Sequence, residues 1–352
     1  MATRRVSELL LLGVVPVLLV ALVIARATQH DYGFDFHGGL WVAGRDILHG
    51  RNPYPLPTIA GVLPGARLVY PPAIVFAFIP LAILPYPLAA ALLTVLLLGA
   101  VAATLYLLEV RDWRCYGATY LTIPVLHDIR LGAISILLAL AVALAWRWRN
   151  EDRVSIALAA AIVAKVFLWP LGVWLLVSGR LRGALWLVLC TSAAVVLSWA
   201  AIGFAGLVDY PRLLLVLSGV EQAWSYSPVA AVLGLGFSAT AARIVAGTLG
   251  LALLVRCARD ARRGDDARAL TAALAASLVL TPIVWPHYFV LLLVPIALAR
   301  RSFGWLWLMP VLFWGTPFEQ HHGQDWRIAI GLGVATVILA ASWRQQVAPS
   351  EM

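Results

Sequence analysis

The chain has 352 residues, 62% of them hydrophobic and 12% charged, with a formal net charge of +9 at neutral pH. Soluble domains carry about 25% charged residues, and no soluble fold of this length hides so much apolar surface, so the composition excludes a soluble protein and predicts a polytopic membrane protein. The basic excess is not a nucleic-acid signal, because the arginines sit in short clusters between apolar runs, where the positive-inside rule puts cytoplasmic turns.

In chain order, Arg4 and Arg5 precede the apolar run Leu9 to Ile24, which reads as a first span. Ala25-Arg26-Ala27 mimics a signal-peptidase site, but the run continues directly into a polar-bearing loop and reads as retained. That first outer loop, residues 27–72, is the longest polar interruption of the chain. A helix is predicted over 39–49, its Leu40, Ala43, Ile47 and Leu48 face resting on the membrane. Pro71 to Pro85 reads as a short apolar segment at the outer interface, and Leu88 to Val110 as the return to the cytoplasm.

The cytoplasmic set is Arg4–Arg5, Arg111–Arg114, Arg147–Arg153, Arg180–Arg182, Arg256–Arg268, Arg300–Arg301 and Arg344. A run with arginine at both ends cannot cross once without violating the charge rule. Residues 116–146, 154–177, 269–299 and 304–342 are therefore predicted hairpins. Their tips fall at His127 to Arg130, Lys165, Pro282 to His287, and Thr316 to Asp325; 154–177 is also short enough for a single span. Several arms have about 11–16 residues, short of the ~20 a full span needs. Ala184 to Phe204 crosses outward, Ala241 to Val255 crosses back, and 205–240 forms a second outer loop. The expectation is one all-α membrane domain over 1–352, with about twelve transmembrane or half-membrane helices and both termini cytoplasmic. Within it, 1–204 forms a catalytic module and 205–352 completes the cavity. Cys115, Cys190 and Cys257 have no motif spacing, so no disulfide and no metal site is expected.

This topology places on the outer side all seven histidines (His30, His37, His49, His127, His287, His321, His322) and the sole lysine, Lys165. Asp35, Asp128, Glu319 and Asp325 join them. Polar groups at membrane depth are expensive and mark function, so an outward-opening cavity is expected. Lys165 reads as a phosphate-binding point charge or as a snorkelling lysine. Arg130 offers a guanidinium to phosphate oxygens or a local pair to Asp128. His287 reads as a substrate contact or a satisfied structural histidine, and His321 and His322 as a solvated loop rather than metal ligands. Asp35, held between Phe34 and Phe36, has the strongest case for chemistry, because partial desolvation makes a carboxylate a better base. Its alternative is a helix cap. Asp31 and Asp46 are rival carboxylates, Asp46 on a solvated helix face.

Asp35-Phe36, Gly50-Arg51-Asn52-Pro53-Tyr54 and Tyr70-Pro71-Pro72 resemble the first outer loop of polyprenol-phosphate-sugar-dependent glycosyltransferases of the GT-C architecture. The lone Lys165 before Pro170 and the run Trp285-Pro286-His287-Tyr288 fit as well, and the pattern looks most like the bacterial α-(1→2)-mannosyltransferase-like family, glycosyltransferase family 87. The resemblance implies a GT-C-like bundle in the bacterial inner membrane with its active site extracytoplasmic. It implies a polyprenyl-phosphate sugar donor, mannose first among the sugars, and an envelope glycan or glycolipid acceptor. Asp35 matches the general base of an inverting single displacement. Lys165, Arg130 and His287 are placed to hold the donor phosphate, with His37, His127, Asp128, Tyr70 and Tyr288 as further substrate contacts. No cofactor or metal is demanded, since one or two cations suffice for a phosphodiester; a divalent cation stays open. The rivals are a lipid-linked-saccharide transporter or flippase, because intramembrane charges also mark transport paths, and a non-catalytic assembly protein.

Overall fold

The computed structural model describes residues 2–29, 33–62, 68–316 and 325–346, and every regular element among them is a helix. Among the described residues, five helices are long and apolar enough to cross a bilayer: Arg5–Arg26, Tyr86–Leu107, Leu181–Ala201, Ala239–Arg262 and Trp326–Gln345. Ile123–Leu131 and Ser135–Arg147 make a sixth crossing if counted together, although the chain bends by 117° between them. The shorter apolar helices are Pro72–Ala82, Val154–Ala164, Val166–Val177, Pro286–Ala299 and Trp305–Gly315. The chain is an all-α polytopic membrane protein.

Length sorts these helices into two roles. Leu181–Ala201 leaves Leu185, Val188, Val196 and Leu197 exposed, as a lipid-facing helix must. Two shorter helices lie inside: Asp266–Leu280 and Pro286–Ala299 are buried along most of their length, whereas Trp305–Gly315 leaves Trp305, Leu308, Leu312 and Trp314 exposed. A helix surrounded by protein need not match the bilayer thickness, and non-helical backbone is tolerated there. Small residues permit close approach. Ser155 Oγ donates 2.8 Å to the Gly183 carbonyl between neighbouring helices, and Gly250 packs against Leu280. Among the described residues the main hydrophobic core draws on residues from Leu12 to Ile338, and Val229, Ala242 and Ala246 form a small second cluster. The three cysteines are free thiols.

The arginine-rich turns contact one another. Asp112 pairs with Arg114 at 2.8 Å and accepts the Phe303 N–H at 3.0 Å, and Arg301 reaches Glu109 at 2.8 Å. Arg180 and Arg149 converge on Asp266. Arg268 pairs with Asp265 at 3.2 Å and donates to the Trp343 carbonyl at 2.9 Å.

Several expected boundaries shift for physical reasons. The helix expected over 39–49 begins earlier, as a π-helical turn over Asp35–Trp41 that runs on into Val42–Leu48. Its Leu40 and Ala43 face packs on protein rather than membrane, because Pro72–Ala82 lies beneath it; a Cβ on Gly44 would come within 2.6 Å of the Ala82 Cβ. Asp46 does lie on the solvent side, paired with Arg51 at 2.7 Å. His127 to Arg130 is not a tip: it continues Ile123–Leu131, and the chain bends after it at Gly132, whose φ of 62° suits glycine. The run 154–177 breaks at Lys165, which is extended between two helices, and 269–299 breaks over residues 281–285. The second outer loop holds the helices Tyr210–Glu221 and Pro228–Gly234. His30, Asp31, Glu319, His321, His322 and the chain end beyond 346 lie outside the described residues.

Candidate active site

Asp35 is seated by its neighbours. Gly33 (φ 72°) donates its N–H to the Arg130 carbonyl at 2.9 Å, which pins the loop to the end of Ile123–Leu131. The next inward residue, Phe36, is 0% exposed and packs on the rings of Phe78 and Tyr86 at 6.1 and 6.0 Å. Gly132 completes the seat, since a Cβ there would sit 2.7 Å from the Phe36 Cβ. Asp35 therefore opens a π-helical turn, a form that recurs at functional sites, and its carboxyl is directed into a cavity.

The loop motifs explain how the opposite wall is held. Gly50 (φ 67°) ends Val42–Leu48, and the Asn52 side chain accepts the Tyr54 N–H at 3.0 Å. This local turn is what Asn is suited to. Tyr54 stacks on Trp199 at 5.1 Å and meets Tyr210 edge-on at 5.5 Å. The Tyr54 hydroxyl donates 2.9 Å to the Tyr70 carbonyl, and the Tyr210 hydroxyl 3.0 Å to that of Val69. Asn52-Pro53-Tyr54 thus positions Tyr70.

Lys165 is 8% exposed, inside the protein rather than snorkelling to an interface. Its ammonium donates 2.7 Å to the Tyr288 hydroxyl and lies 5.3 Å from the Tyr70 ring centroid. Phe167 stacks on Tyr288 at 5.0 Å and holds it in place.

Asp35, Tyr70, Lys165 and Tyr288 line one cavity of about 790 Å³. Asp35 keeps part of its side chain open to this space while protein displaces most of the surrounding water. Burial pushes its carboxyl up to about 6, against a smaller downward pull from Lys165. Asp35 and Lys165 act on each other through space, without a salt bridge between them. Burial, aided by the Asp35 charge, also pushes the Tyr70 phenol well above its ordinary range, so it stays a hydrogen-bond donor.

The other expected residues stand apart from this cavity's wall. Asp128, 0% exposed, accepts the backbone N–H groups of Ser135 and Ile136 at 3.0 Å each. It caps Ser135–Arg147 and fixes the bend. The His127 and His287 rings lie 5.5 Å apart, and His287 meets the Tyr288 ring edge-on at 4.9 Å. His287 is 2% exposed, and neither ring nitrogen has a hydrogen-bond partner among the described residues, an unusual state for a buried polar group. His37 stacks on Trp41 at 5.5 Å at the exposed edge of its turn. Arg130 contributes its carbonyl to the Asp35 seat. Among the described residues no three His, Cys, Asp or Glu side chains gather as a metal site.

Sequence reasoning missed the Tyr210–Glu221 helix. Its Pro211, Leu214, Leu215, Ser218 and Glu221 line the cavity, at the i, i+3, i+4, i+7 spacing of one helix face. That spacing was the available signal, hidden in a segment read as loop.

No curated protein and no solved structure matches the chain. The family model described as Glycosyltransferase family 87 matches residues 68–286. The matched stretch holds Tyr70, Lys165 and the Tyr210–Glu221 helix; it begins after Asp35 and ends at Pro286. The match covers well over half of the chain, which therefore belongs to glycosyltransferase family 87 and is a membrane glycosyltransferase.

Proposed function

We propose that the protein transfers a hexose, mannose first, from a polyprenyl-phosphate donor to a hydroxyl of an envelope glycan or glycolipid. The observation that carries this reading is the shared cavity of Asp35 and Lys165. An ammonium buried against a phenol and aromatic faces, with no carboxylate partner among the described residues, favours an anionic partner, and a phosphodiester fits that need with one negative charge. His287, packed edge-on against Tyr288 at 4.9 Å, stands behind this ammonium rather than in the cavity wall.

In the step proposed, the acceptor oxygen attacks the anomeric carbon from the face opposite the phosphate. Asp35 takes the acceptor hydroxyl proton as the new carbon–oxygen bond forms. The bond from the anomeric carbon to the phosphate oxygen breaks, and polyprenyl phosphate leaves with the electron pair, so the configuration inverts. The charge growing on the leaving oxygens is offset by Lys165, an electrostatic contribution that is large in a water-poor site. The phosphate is a good leaving group and needs little acid help. A base with a pKa near the working pH is the effective kind, and a carboxyl pushed up to about 6 is close to it. The cavity faces the extracytoplasmic side of a bacterial inner membrane in this reading, and the termini lie in the cytoplasm. The mutual contacts of the arginine-rich turns, away from the cavity, support that orientation.

The test is purified protein offered a panel of polyprenyl-phosphate sugars and octyl glycosides, with and without a chelator, beside sealed vesicles containing the protein. The expected result is chelator-insensitive transfer from one donor of the panel. Movement of the lipid-linked sugar across vesicles with no transfer to any acceptor would overturn the reading in favour of transport.

A further inference from the structure

We propose that Glu221 is the recognition residue for the acceptor saccharide, accepting hydrogen bonds from its hydroxyls within the cavity that holds Asp35 and Lys165. This inference rests on the glycosyl-transfer reading and adds a position for the second substrate.

The Tyr210–Glu221 helix lies along the cavity with a graded face. Its first turn is tied to the Tyr70 wall, through the Tyr210 hydroxyl on the Val69 carbonyl at 3.0 Å. The middle of the face is apolar, with Leu214 and Leu215. Its last turn is polar, with Ser218 and Glu221 one turn apart. At 1.5 Å per residue the two ends are about 16 Å apart. The last turn is anchored to the opposite wall. Past Glu221 the chain reaches Ser225 and Ser227, whose hydroxyls both bond the Pro282 carbonyl at 3.1 and 2.8 Å, and the Tyr226 N–H bonds the Val284 carbonyl at 2.7 Å. That wall brings Thr281 and the Trp285 ring into the same cavity.

Glu221 Oε2 is buried and has no hydrogen-bond partner among the described residues. A buried acceptor without a donor is costly and calls for one. Burial also pushes the Glu221 carboxyl above its ordinary value. Its charge disfavours phosphate, so this end of the cavity is not a second phosphate site. The groups that suit it are hydroxyl donors on a neutral ring, with the apolar face of that ring against Trp285. Lys165 and Glu221 thus give the cavity one station for an anion and one for a polyol, as a transferase with a phosphate-bearing donor and a saccharide acceptor needs.

The experiment compares wild-type enzyme with Glu221→Gln and Ser218→Ala, using the accepted polyprenyl-phosphate hexose and octyl α-mannoside. Acceptor KM is expected to rise about tenfold or more in Glu221→Gln, the size of a lost charge-assisted hydrogen bond, and about threefold in Ser218→Ala. The rise falls on acceptor KM more than on kcat, and donor KM changes by less than about twofold. A structural role would instead lower the melting temperature and scale kcat for every acceptor. Unchanged acceptor KM in both variants, or a rise in donor KM instead, overturns the assignment while leaving the transferase reading intact. If Glu221→Gln does not fold, the Ser218→Ala ratio decides. Wild-type enzyme that transfers no sugar to any hydroxyl overturns the reading beneath it.

Discussion

The ammonium of Lys165 donates a 2.7 Å hydrogen bond to the hydroxyl of Tyr288, joining residues 123 positions apart in the chain. The pair holds a buried cation at the wall of the cavity that Asp35 also lines. Replacing Lys165 with Met keeps the length and removes the charge. Donor KM is expected to rise about 10–100-fold, the range for a lost charge-assisted contact. Tyr288→Phe removes only the orienting hydroxyl and is expected to raise donor KM about threefold. The Lys165→Met protein should melt no lower than wild type, because a buried charge without a carboxylate partner does not stabilise the fold. Steady-state kinetics and a thermal scan in detergent check both parts.

The Asp35 carboxyl, pushed up to about 6, sets the pH dependence. Only the ionised form is a base, so log kcat/KM should rise with unit slope below pH 6 and level off above it. Lys165 pulls the Asp35 value down, so in Lys165→Met the break moves to higher pH. A shift to lower pH would show that the titrating group is not under the Lys165 field. Stability runs the opposite way. The folded value lies above the ordinary 3.8, so the folded state holds the proton more tightly than the unfolded chain. Wild-type protein therefore loses stability as pH rises from about 4 through 6, on the order of 1–2 kcal/mol after allowing for the open cavity side. Asp35→Asn should lack this loss and melt higher at neutral pH.

Gly132 links backbone geometry to catalysis. Its φ of 62° disfavours any side chain, and a Cβ there would press on Phe36, the residue beside Asp35. Gly132→Ala should destabilise the protein by about 1–3 kcal/mol. It should also lower kcat more than it raises either KM, because Asp35 is displaced. Thermal midpoint and kinetics measured on one preparation check this.

The aromatic clamp gives a milder expectation. Tyr54→Phe loses the hydrogen bond to the Tyr70 carbonyl but keeps the stack on Trp199. The expected loss is about 1 kcal/mol of stability, with a change in activity of less than about threefold. A much larger loss of activity would mean that Tyr54 touches substrate itself.

These expectations show which features were legible in the sequence. Composition and arginine spacing made the membrane class plain, because charge and apolarity act over whole segments. Lys165 stood out as the sole lysine, and its break in the Ala-rich run is where the helix ends. Asp35 was marked by its flanking phenylalanines, and the structure uses Phe36 as the anchor. The bend was misplaced because His127 to Arg130 looks like a polar tip. In fact Asp128 turns back to cap the following helix, a contact between residues seven and eight apart that no periodicity announces. The membrane-facing role assigned to Leu40 and Ala43 failed for a related reason, since an apolar face does not reveal whether lipid or another helix covers it. Glu221 escaped notice because its helix sits in a segment without strong charge or length cues.

The most direct test of the account is single-turnover transfer of a labelled hexose from its polyprenyl-phosphate donor by Asp35→Asn protein, with folding verified by its melting curve. The account predicts normal donor binding, a raised melting temperature at neutral pH, and transfer slowed about 10²–10⁴-fold, the contribution of a general base. Transfer at the wild-type rate by that well-folded variant would contradict it.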